Sequence, residues 1–339
     1  MIPVSSLAWQ GESSEVAEWQ HLLQTAVTDP TVLCQRLQLS LTDESVILEA
    51  CRGFPLKVPE PYLARMETGN SKDPLLLQIL PQAAELSTIE GYTNDPLGES
   101  AHNPVPGLVH KYASRVLLIT TSLCAVHCRY CFRRAFPYSD NRNSRASWQT
   151  AMDYIRQNTG LNEVILSGGD PLSLPDRQLA WLTRTISDIP HIVRLRFHTR
   201  LPVVIPQRIT TSFLNTLDSR LQNVMVLHCN HPNEVDTDLA TAVRLLRQRG
   251  VTVLNQSVLL AGINDSAEIL VALSEKLFAA GIQPYYLHQL DKVSGSHHFA
   301  VPDAVASALH KAIQTQLPGF LVPTLAREEA GEPSKTRLL

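Results

Sequence analysis

The sequence lacks the features that would indicate a membrane, secreted or nucleic-acid-binding protein. No apolar run approaches the roughly 20 residues that a membrane-spanning helix needs. The first residues are acidic and lack the basic-then-apolar pattern of a secretory signal, so a cytoplasmic protein is expected. The formal net charge of −3 favours a small-molecule substrate over bulk binding to nucleic acid. We therefore expect neither DNA nor a membrane among its partners.

Internal repeats and low-complexity tracts are also missing, which argues against a solenoid. The 339 residues suffice for one large domain with an additional cap. Residues 1–105 read as mostly helical, and a Pro- and Gly-rich stretch, DPLGESAHNPVPGL, breaks the pattern at its end. We predict a helical cap over 1–105, a barrel over 106–330 and a separate C-terminal segment over 331–339.

After this stretch, short apolar runs rich in β-branched residues alternate with helical patterns. The runs are RVLLIT (115–120), EVILS (163–167), IVRLRF (192–197), NVMVLH (223–228), VTVLNQSVLL (251–260) and QPYYLHQL (283–290). Strand–helix units in this order predict an α/β fold with a parallel sheet and helices outside it. Because eight units close a full barrel, six indicate a partial, TIM-like (βα)6 barrel with its chemistry at the carboxyl ends of the strands.

Cysteine is scarce, with six residues, but half of them fall within eight positions. Cys124, Cys128 and Cys131 follow the first predicted strand, separated by three and then two residues. Structural zinc usually takes four ligands from paired knuckles, and no fourth ligand is evident nearby. Three thiolates can hold three irons of a [4Fe–4S] cluster and leave the fourth open to a cofactor. His127 as a fourth ligand and a chance grouping of cysteines are the weaker alternatives.

A second motif, Ser167-Gly168-Gly169-Asp170, ends the second predicted strand. Two glycines allow a backbone to approach a ligand closely, although this motif alone is also a common turn. Together with the C-x3-C-x2-C spacing, it resembles the signature of the radical S-adenosylmethionine enzymes. The resemblance implies a [4Fe–4S] cluster on the cysteines, with the glycine loop presenting amide groups to the methionine part of S-adenosylmethionine.

A longer series of motifs resembles one family of these enzymes, the lysine 2,3-aminomutases. In order through residues 90–337 they are DPLGESAHNPVPGLVHKYASRVLLITTSLCAVHCRYCFRRAF, EVILSGGDPL, TRLPVVIPQRIT, HCNHPNEV, LNQSVLLAGIND, PYYLHQLD and GEPSKT. The resemblance implies an isomerase that converts L-lysine to β-lysine through a 5′-deoxyadenosyl radical and a 1,2-amino migration assisted by pyridoxal 5′-phosphate. It also implies a one-electron donor such as flavodoxin or ferredoxin. A homo-oligomer is expected as well.

The resemblance assigns cofactor roles to particular residues. Lys335, in GEPSKT, matches the lysine that binds pyridoxal phosphate as a Schiff base, although a lysine so close to a chain end is usually a solvated tail. Arg115 matches a residue that faces the pyridoxal phosphate and substrate region. Gln256, in LNQS, is likewise placed among the cofactor-binding residues. Surface ion pairs are the plainer explanation for any of these charged residues taken alone.

The resemblance also assigns the two ends of the substrate. Arg133 matches the arginine that pairs with the lysine carboxylate, a task suited to a planar, bidentate donor. Asp291 and Glu328 match the acids that receive the distal amine, and the family's usual residue at the second position is aspartate. A radical aminomutase acting on arginine or glutamate is the rival hypothesis. Two acids would repel the side-chain carboxylate of glutamate.

One departure from the family concerns zinc. Its longer members bind zinc through a cysteine that follows the Asn-Asp of LAGIND and through a three-cysteine extension at the C-terminus. Here that first position is Ser266, and the sequence stops at Leu339, so no zinc is expected.

The short form, with REEAGEPSKT near its end, resembles the bacterial branch that supplies β-lysine for modifying elongation factor P. Lysine catabolism is the alternative. A redox or nucleic-acid-binding module around a structural metal is the alternative of another class, and neither a fourth clustered cysteine nor a basic stripe supports it.

Overall fold

The computed structural model describes residues 17–40, 44–138, 141 and 144–338. The α-helices are α1 (Glu18–Gln24), α2 (Pro30–Arg36), α3 (Glu44–Gly53), α4 (Glu60–Leu63), α5 (Pro74–Leu77), α6 (Arg145–Gln157), α7 (Asp176–Ser187), α8 (Leu201–Val204), α9 (Thr211–Leu214), α10 (Thr237–Gln248), α11 (Ala267–Ala279) and α12 (Asp303–Gln314). The strands are β1 (Leu108–Tyr112), β2 (Arg115–Thr121), β3 (Glu163–Gly168), β4 (Arg194–Thr199), β5 (Gln222–His228), β6 (Thr252–Val258), β7 (Gln283–His288), β8 (Thr324–Arg327) and β9 (Thr336–Arg337). Residues 1–16 and 41–43 of the predicted cap lie outside the described residues.

Within the described residues, the nine strands form one sheet in chain order. Strands β2 to β8 run parallel, and β1 and β9 add antiparallel edges next to β2 and β8. Helices separate successive parallel strands, because parallel neighbours need a crossover connection. The predicted (βα)6 partial barrel is confirmed, and each predicted strand contains or overlaps one of β2 to β7. Strand β8 extends the parallel part of the sheet by one more strand.

Local sequence explains why the outer helices form and how they face the sheet. Ser144 begins α6 by accepting a hydrogen bond from the backbone N–H of Ser147, at 3.0 Å. The buried residues of α10 recur at helical spacing and pack toward the core: Leu239, Ala242, Val243 and Leu246. Full burial of one such leucine stabilises the fold by about 1.5–3 kcal/mol.

The strands alternate between core and lumen, and this places polar groups inside the barrel. In β4, Leu195 and Phe197 are buried against the helices, while Arg196 and His198 line the lumen. In β6, Val253 is buried on the outer side, while Gln256 lines the lumen. The barrel interior is therefore a binding space and not a second hydrophobic core.

The N-terminal helices pack directly on the barrel. Leu33, Tyr62 and Leu75 belong to the same continuous hydrophobic cluster as Leu166 and Phe197. The predicted boundary near residue 105 thus marks a change from helices to strands and does not separate two cores. In the part of the chain that the structure describes, no helix combines the length and apolar character needed to cross a membrane.

Candidate active site

A cavity of about 970 Å³ occupies the lumen of the open barrel. Its wall comes from strands β2 to β7, from the cysteine loop, which we define as residues 122–134, and from the C-terminal segment. All residues to which the sequence assigns a site role line this cavity: Arg115, Cys124, Cys128, Cys131, Arg133, Ser167, Gly168, Gly169, Asp170, Gln256, Asp291, Glu328 and Lys335. The fold thus brings together residues as far apart in sequence as Arg115 and Lys335.

The cysteine loop is held in place by the N-terminal region. The backbone N–H of His127 donates to the carbonyl of Lys57 at 3.2 Å, and that of Arg129 to the carbonyl of Gln78 at 2.9 Å. The buried guanidinium of Arg129 donates to both carboxylate oxygens of Glu85, at 2.8 and 2.5 Å. Bidentate, charge-assisted contacts of this kind fix orientation as well as distance. The helical cap therefore positions the loop that carries the cysteines.

The three cysteines of the loop are free thiols and half-buried. Burial raises the pKa of the Cys124 thiol, and it raises that of Cys131 to about 11, with neighbouring thiolates adding to both shifts. Arg200 Nη1 donates to the Sγ atom of Cys128 at 2.7 Å. Within the described residues, no group of three or more histidine, cysteine, aspartate or glutamate side chains is placed to hold a single metal ion. In a cubane, each of three thiolates binds a different iron, and the three cysteines of this loop can serve as those ligands.

Gly168 and Gly169 are required by close contact with the end of β2 and with the cysteine loop. Gly168 has a φ of +124°, and a Cβ atom there would lie 2.5 Å from the carbonyl oxygen of Thr121. A Cβ atom on Gly169 would lie 2.3 Å from the carbonyl oxygen of Leu123. The amides of Gly169 and Asp170 donate to those same two carbonyls, both at 2.7 Å. Two of the amides that the glycine loop was expected to present to S-adenosylmethionine are thus bonded to the end of β2 and to the cysteine loop.

The Asp170 carboxylate is also engaged by the protein. Its Oδ1 accepts from the Thr199 hydroxyl at 2.6 Å and from the Leu172 amide at 3.0 Å. Its Oδ2 accepts from the amides of Arg200 and Leu201, at 2.8 and 2.9 Å. Burial raises the pKa of this carboxyl, although the four donors oppose the shift. Asp170 thereby joins the carboxyl ends of β3 and β4 and fixes the backbone of Arg200.

Arg133 is buried and bonded to Glu99, a residue that the sequence did not single out. Its Nε and Nη2 donate to the two carboxylate oxygens of Glu99, at 2.8 and 2.6 Å. Its Nη1 donates to Ser167 Oγ at 2.8 Å. Burial would lower the pKa of Arg133, but Glu99 raises it, so the guanidinium stays charged. A fixed cation thus faces the cavity beside the glycine loop.

The C-terminal segment returns along β8 as a hairpin. Because Arg327 pairs with Thr336, continuing the register sets Glu328 opposite Lys335. The Lys335 ammonium forms an ion pair with one carboxylate oxygen of Glu328, and Lys111 Nζ lies 3.0 Å from the other. Burial would raise the pKa of Glu328, but the two ammonium groups hold it well below its usual range. Lys335 is therefore anchored inside the cavity and is not a solvated tail.

Asp291 follows β7 and lines the same cavity. Burial, and then repulsion from Glu328, raise its pKa to about 7, while Lys335 opposes the shift. The two acids consequently differ in protonation near neutral pH, since Glu328 is fully ionised and Asp291 is poised between its two forms. Such a pair can accept one further cation without leaving a buried charge unpaired.

Three histidines in the wall were missed from the sequence: His198, His228 and His288. Burial lowers the pKa of each ring, to about 3 for His228 and His288, so all three are neutral. Their shared position within two residues of the end of a predicted strand is the signal that could have identified them. Among the described residues, His198 Nε2, Arg196 Nε and Arg200 Nε have no hydrogen-bond partner. Orphaned buried donors in a cavity wall indicate a ligand.

Comparison with known proteins agrees with this geometry. The Radical SAM superfamily model matches residues 118–273, and with the cysteine loop this defines a radical S-adenosylmethionine enzyme. The L-lysine 2,3-aminomutases of Haemophilus influenzae and Escherichia coli are 50% and 48% identical over 95% of this chain and over 96% and 94% of their own. That of Clostridium subterminale is 33% identical over 95% of this chain and 78% of its own. The chain belongs to the L-lysine 2,3-aminomutase family.

The cofactors that this family implies are a [4Fe–4S] cluster, S-adenosylmethionine and pyridoxal phosphate. The cavity residues fit them. The cysteine loop offers three soft ligands, and Lys335 offers a primary amine for an aldehyde. Arg115 and Arg196 supply cationic donors in the same wall, suited to a phosphate. At about 970 Å³, the cavity is of the size that holds large ligands.

Proposed function

We propose that the protein is an isomerase that moves the amino group of L-lysine from C2 to C3 and so produces β-lysine. One observation carries this proposal: cluster-forming thiols, an anchored lysine amine and two carboxylates share a single cavity. Relatives named L-lysine 2,3-aminomutase, aligned over nearly the whole chain, support the same substrate. When bound, the cofactors would supply a carbon-centred radical and an electron-accepting π-system, and the protein positions the reactants and excludes water.

The two ends of the substrate are recognised by opposite charges. Arg133, held by Glu99 and Ser167, binds the lysine carboxylate. Asp291 receives the distal ammonium, with Glu328 as a second acid nearby. Since Glu328 is already neutralised by Lys335 and Lys111, Asp291 is the carboxyl that has most to gain from a new cation. This arrangement selects an amino acid with a distal positive charge.

The remaining assigned residues hold the cofactors. Cys124, Cys128 and Cys131 bind the cluster, and the loop from Ser167 to Asp170 supports S-adenosylmethionine beside it. Lys335 binds pyridoxal phosphate through its amine. Arg115 and Gln256 line the same wall and contribute donors to the cofactors. No zinc is proposed, because Ser266 caps α11 by accepting from the Ile269 amide at 3.3 Å.

The product is proposed to serve the modification of elongation factor P. Support comes from the REEAGEPSKT motif, which resembles the branch that supplies β-lysine for this modification. Deleting the gene should then remove the β-lysyl modification from elongation factor P, as measured by intact-mass spectrometry. Added β-lysine should restore it, whereas added α-lysine should not. An unchanged mass would direct the product to lysine catabolism instead.

The setting proposed for the enzyme is the cytoplasm, with flavodoxin or ferredoxin as the one-electron donor. All six cysteines are free, as expected for a reducing compartment. A homo-oligomer is also proposed, because two neighbouring phenylalanines form an exposed apolar patch. The ring centroids of Phe278 and Phe320 lie 5.2 Å apart, and 46% and 58% of their surfaces are exposed. Equilibrium sedimentation of wild type and of Phe320→Ser tests that surface.

The decisive experiment is anaerobic reconstitution with iron and sulfide, followed by incubation with dithionite, S-adenosylmethionine, pyridoxal phosphate and L-lysine. Chromatography should detect β-lysine, and omitting any one cofactor should abolish it. L-glutamate, offered as a competitor, should neither react nor compete strongly, and L-arginine should not be isomerised. A cluster-loaded protein that leaves lysine unchanged but isomerises another amino acid would overturn the substrate assignment.

A further inference from the structure

Arg200, at the carboxyl end of β4, contacts a cysteine of the loop directly. Its Nη1 donates to Cys128 Sγ and to the Tyr130 hydroxyl, both at 2.7 Å. Its Nη2 donates to Gln78 Oε1 at 2.6 Å and to Glu234 Oε2 at 2.9 Å. One guanidinium therefore spans from the sulfur to a buried carboxylate.

This arginine has little freedom to move away from the sulfur. Only 7% of its surface is exposed, and Glu234 behind it is fully buried. Its own backbone amide is fixed by the Asp170 carboxylate at 2.8 Å. Tyr62, from the N-terminal helices, adds another acceptor for Nη2 at 3.0 Å. Besides the sulfur, the guanidinium donates to four protein groups, on Tyr130, Tyr62, Gln78 and Glu234. These contacts keep its geometry fixed whether the cluster gains or loses an electron.

We propose that Arg200 sets the reduction potential of the cluster by donating a hydrogen bond to the Cys128 sulfur. The inference rests on the proposed cluster, and it makes Arg200 a positioning residue. One electron from the donor protein converts [4Fe–4S]²⁺ to [4Fe–4S]⁺ and adds negative charge that the ligand sulfurs share. A cationic N–H donor at one sulfur stabilises the reduced state more than the oxidised one. The reduction potential of the cluster is thereby raised toward that of the electron-donor protein.

The test is a redox titration followed by electron paramagnetic resonance, without substrate and without turnover. Arg200→Gln removes the charge, whereas Arg200→Lys keeps it but loses the planar fork. At the wild-type midpoint, the ratio of reduced to oxidised cluster should fall about 10-fold in Arg200→Gln, a shift of about 59 mV to more negative potential. In Arg200→Lys, the midpoint potential should shift in the same direction by a smaller amount. Iron and sulfide content should match wild type.

Tyr130→Phe is the matched control, because it removes the other acceptor of Nη1 and leaves the bond to sulfur in place. Its midpoint should equal that of wild type. An equal shift in Tyr130→Phe, or an unchanged midpoint in iron-replete Arg200→Gln, overturns the proposal. If Arg200→Gln does not retain iron, Arg200→Lys decides, and a wild-type midpoint there also overturns it. A wild-type protein that assembles no cluster contradicts the proposed function instead.

Discussion

Glu99 forms a bidentate ion pair with Arg133 through both of its carboxylate oxygens, and the two side chains are 8% and 6% exposed. Removing either partner would leave a buried charge uncompensated, at a cost of about 3–5 kcal/mol. Conservative replacements are therefore the informative ones at this pair. The ion pair also sets how the remaining N–H groups of Arg133 are presented to the cavity.

Arg133→Lys should raise the KM for L-lysine at least about 10-fold, equivalent to about 1.4 kcal/mol. An ammonium cannot bind Glu99 with two parallel bonds and still offer a directed donor to a carboxylate. Lysine amide, which lacks that carboxylate, should lose little further in this variant. The exposed Arg156, paired with Asp153, provides the control Arg156→Lys, which should keep the wild-type KM. An equal rise in KM for lysine and for its amide would show that Arg133 does not bind the substrate carboxylate.

Asp291 should make lysine binding depend on pH. Its raised pKa of about 7 means that the carboxyl is ionised above that pH and neutral below it. Since only the ionised form attracts an ammonium, kcat/KM for lysine should fall as the pH drops through about 7. Asp291→Asn should raise the KM at least about 10-fold at pH above 7, and its profile should be flat in this range. An unchanged pH profile in Asp291→Asn would show that Asp291 does not bind the distal amine of the substrate.

Cys128→Ala should abolish assembly of the cluster, because two remaining thiolates cannot hold a site-differentiated cubane. Iron and sulfide analysis with the visible spectrum measures this. Cys34→Ala is the matched control, since Cys34 is equally free but buried in α2 away from the cavity. Its variant should load iron normally. Full iron content in Cys128→Ala would exclude this cysteine as a ligand.

Lys335→Ala should keep the cluster but lose covalently bound pyridoxal phosphate. Borohydride reduction followed by peptide mapping should label Lys335 in wild type and nothing in the variant. Lys311, exposed on α12, serves as the control position for Lys311→Ala. Its variant should label like wild type. A label on any other lysine in wild type would refute the assignment.

Zinc should not co-purify stoichiometrically. Ser266 holds the first turn of α11, and a hydroxyl is a poor substitute for a thiolate ligand. Metal analysis of protein purified without chelators is the measurement. One tightly held zinc ion per chain would show that another set of ligands exists.

Much of the site could be predicted because its residues lie in short, local motifs. The cysteine spacing and the Gly168-Gly169 pair depend on backbone geometry within a few residues, and sequence reports such constraints well. The strands β2 to β7 are equally local, since each is a run of apolar and β-branched residues between turn signals. The ion pair of Lys335 with Glu328 also follows from a separation of seven residues once the hairpin is known.

The rest depends on contacts between distant segments. Glu99 sits in the Pro- and Gly-rich stretch that the sequence marks only as a break, yet it binds Arg133. Arg200 lies within TRLPVVIPQRIT, and nothing in that motif shows that it reaches Cys128. Strand β8 was missed because its four residues, TLAR, carry too little β-branched character to be distinguished from a loop. The sequence also did not show that the amides of Gly169 and Asp170 bond to carbonyls at the end of β2 and in the cysteine loop.

The hairpin at the C-terminus has a consequence for the order in which ligands bind. Glu328, the second acid that we propose for the substrate's ammonium, already pairs with an ammonium of the same chemical kind, on Lys335. One carboxylate cannot fully neutralise two ammonium groups. In the protein without its cofactor, the Lys335 ammonium therefore competes with that of the free amino acid. Once an aldehyde takes up the Lys335 amine, that competitor disappears and Glu328 keeps only its ion pair with Lys111. We therefore expect loading in sequence, with the vitamin-derived cofactor first and the amino acid second.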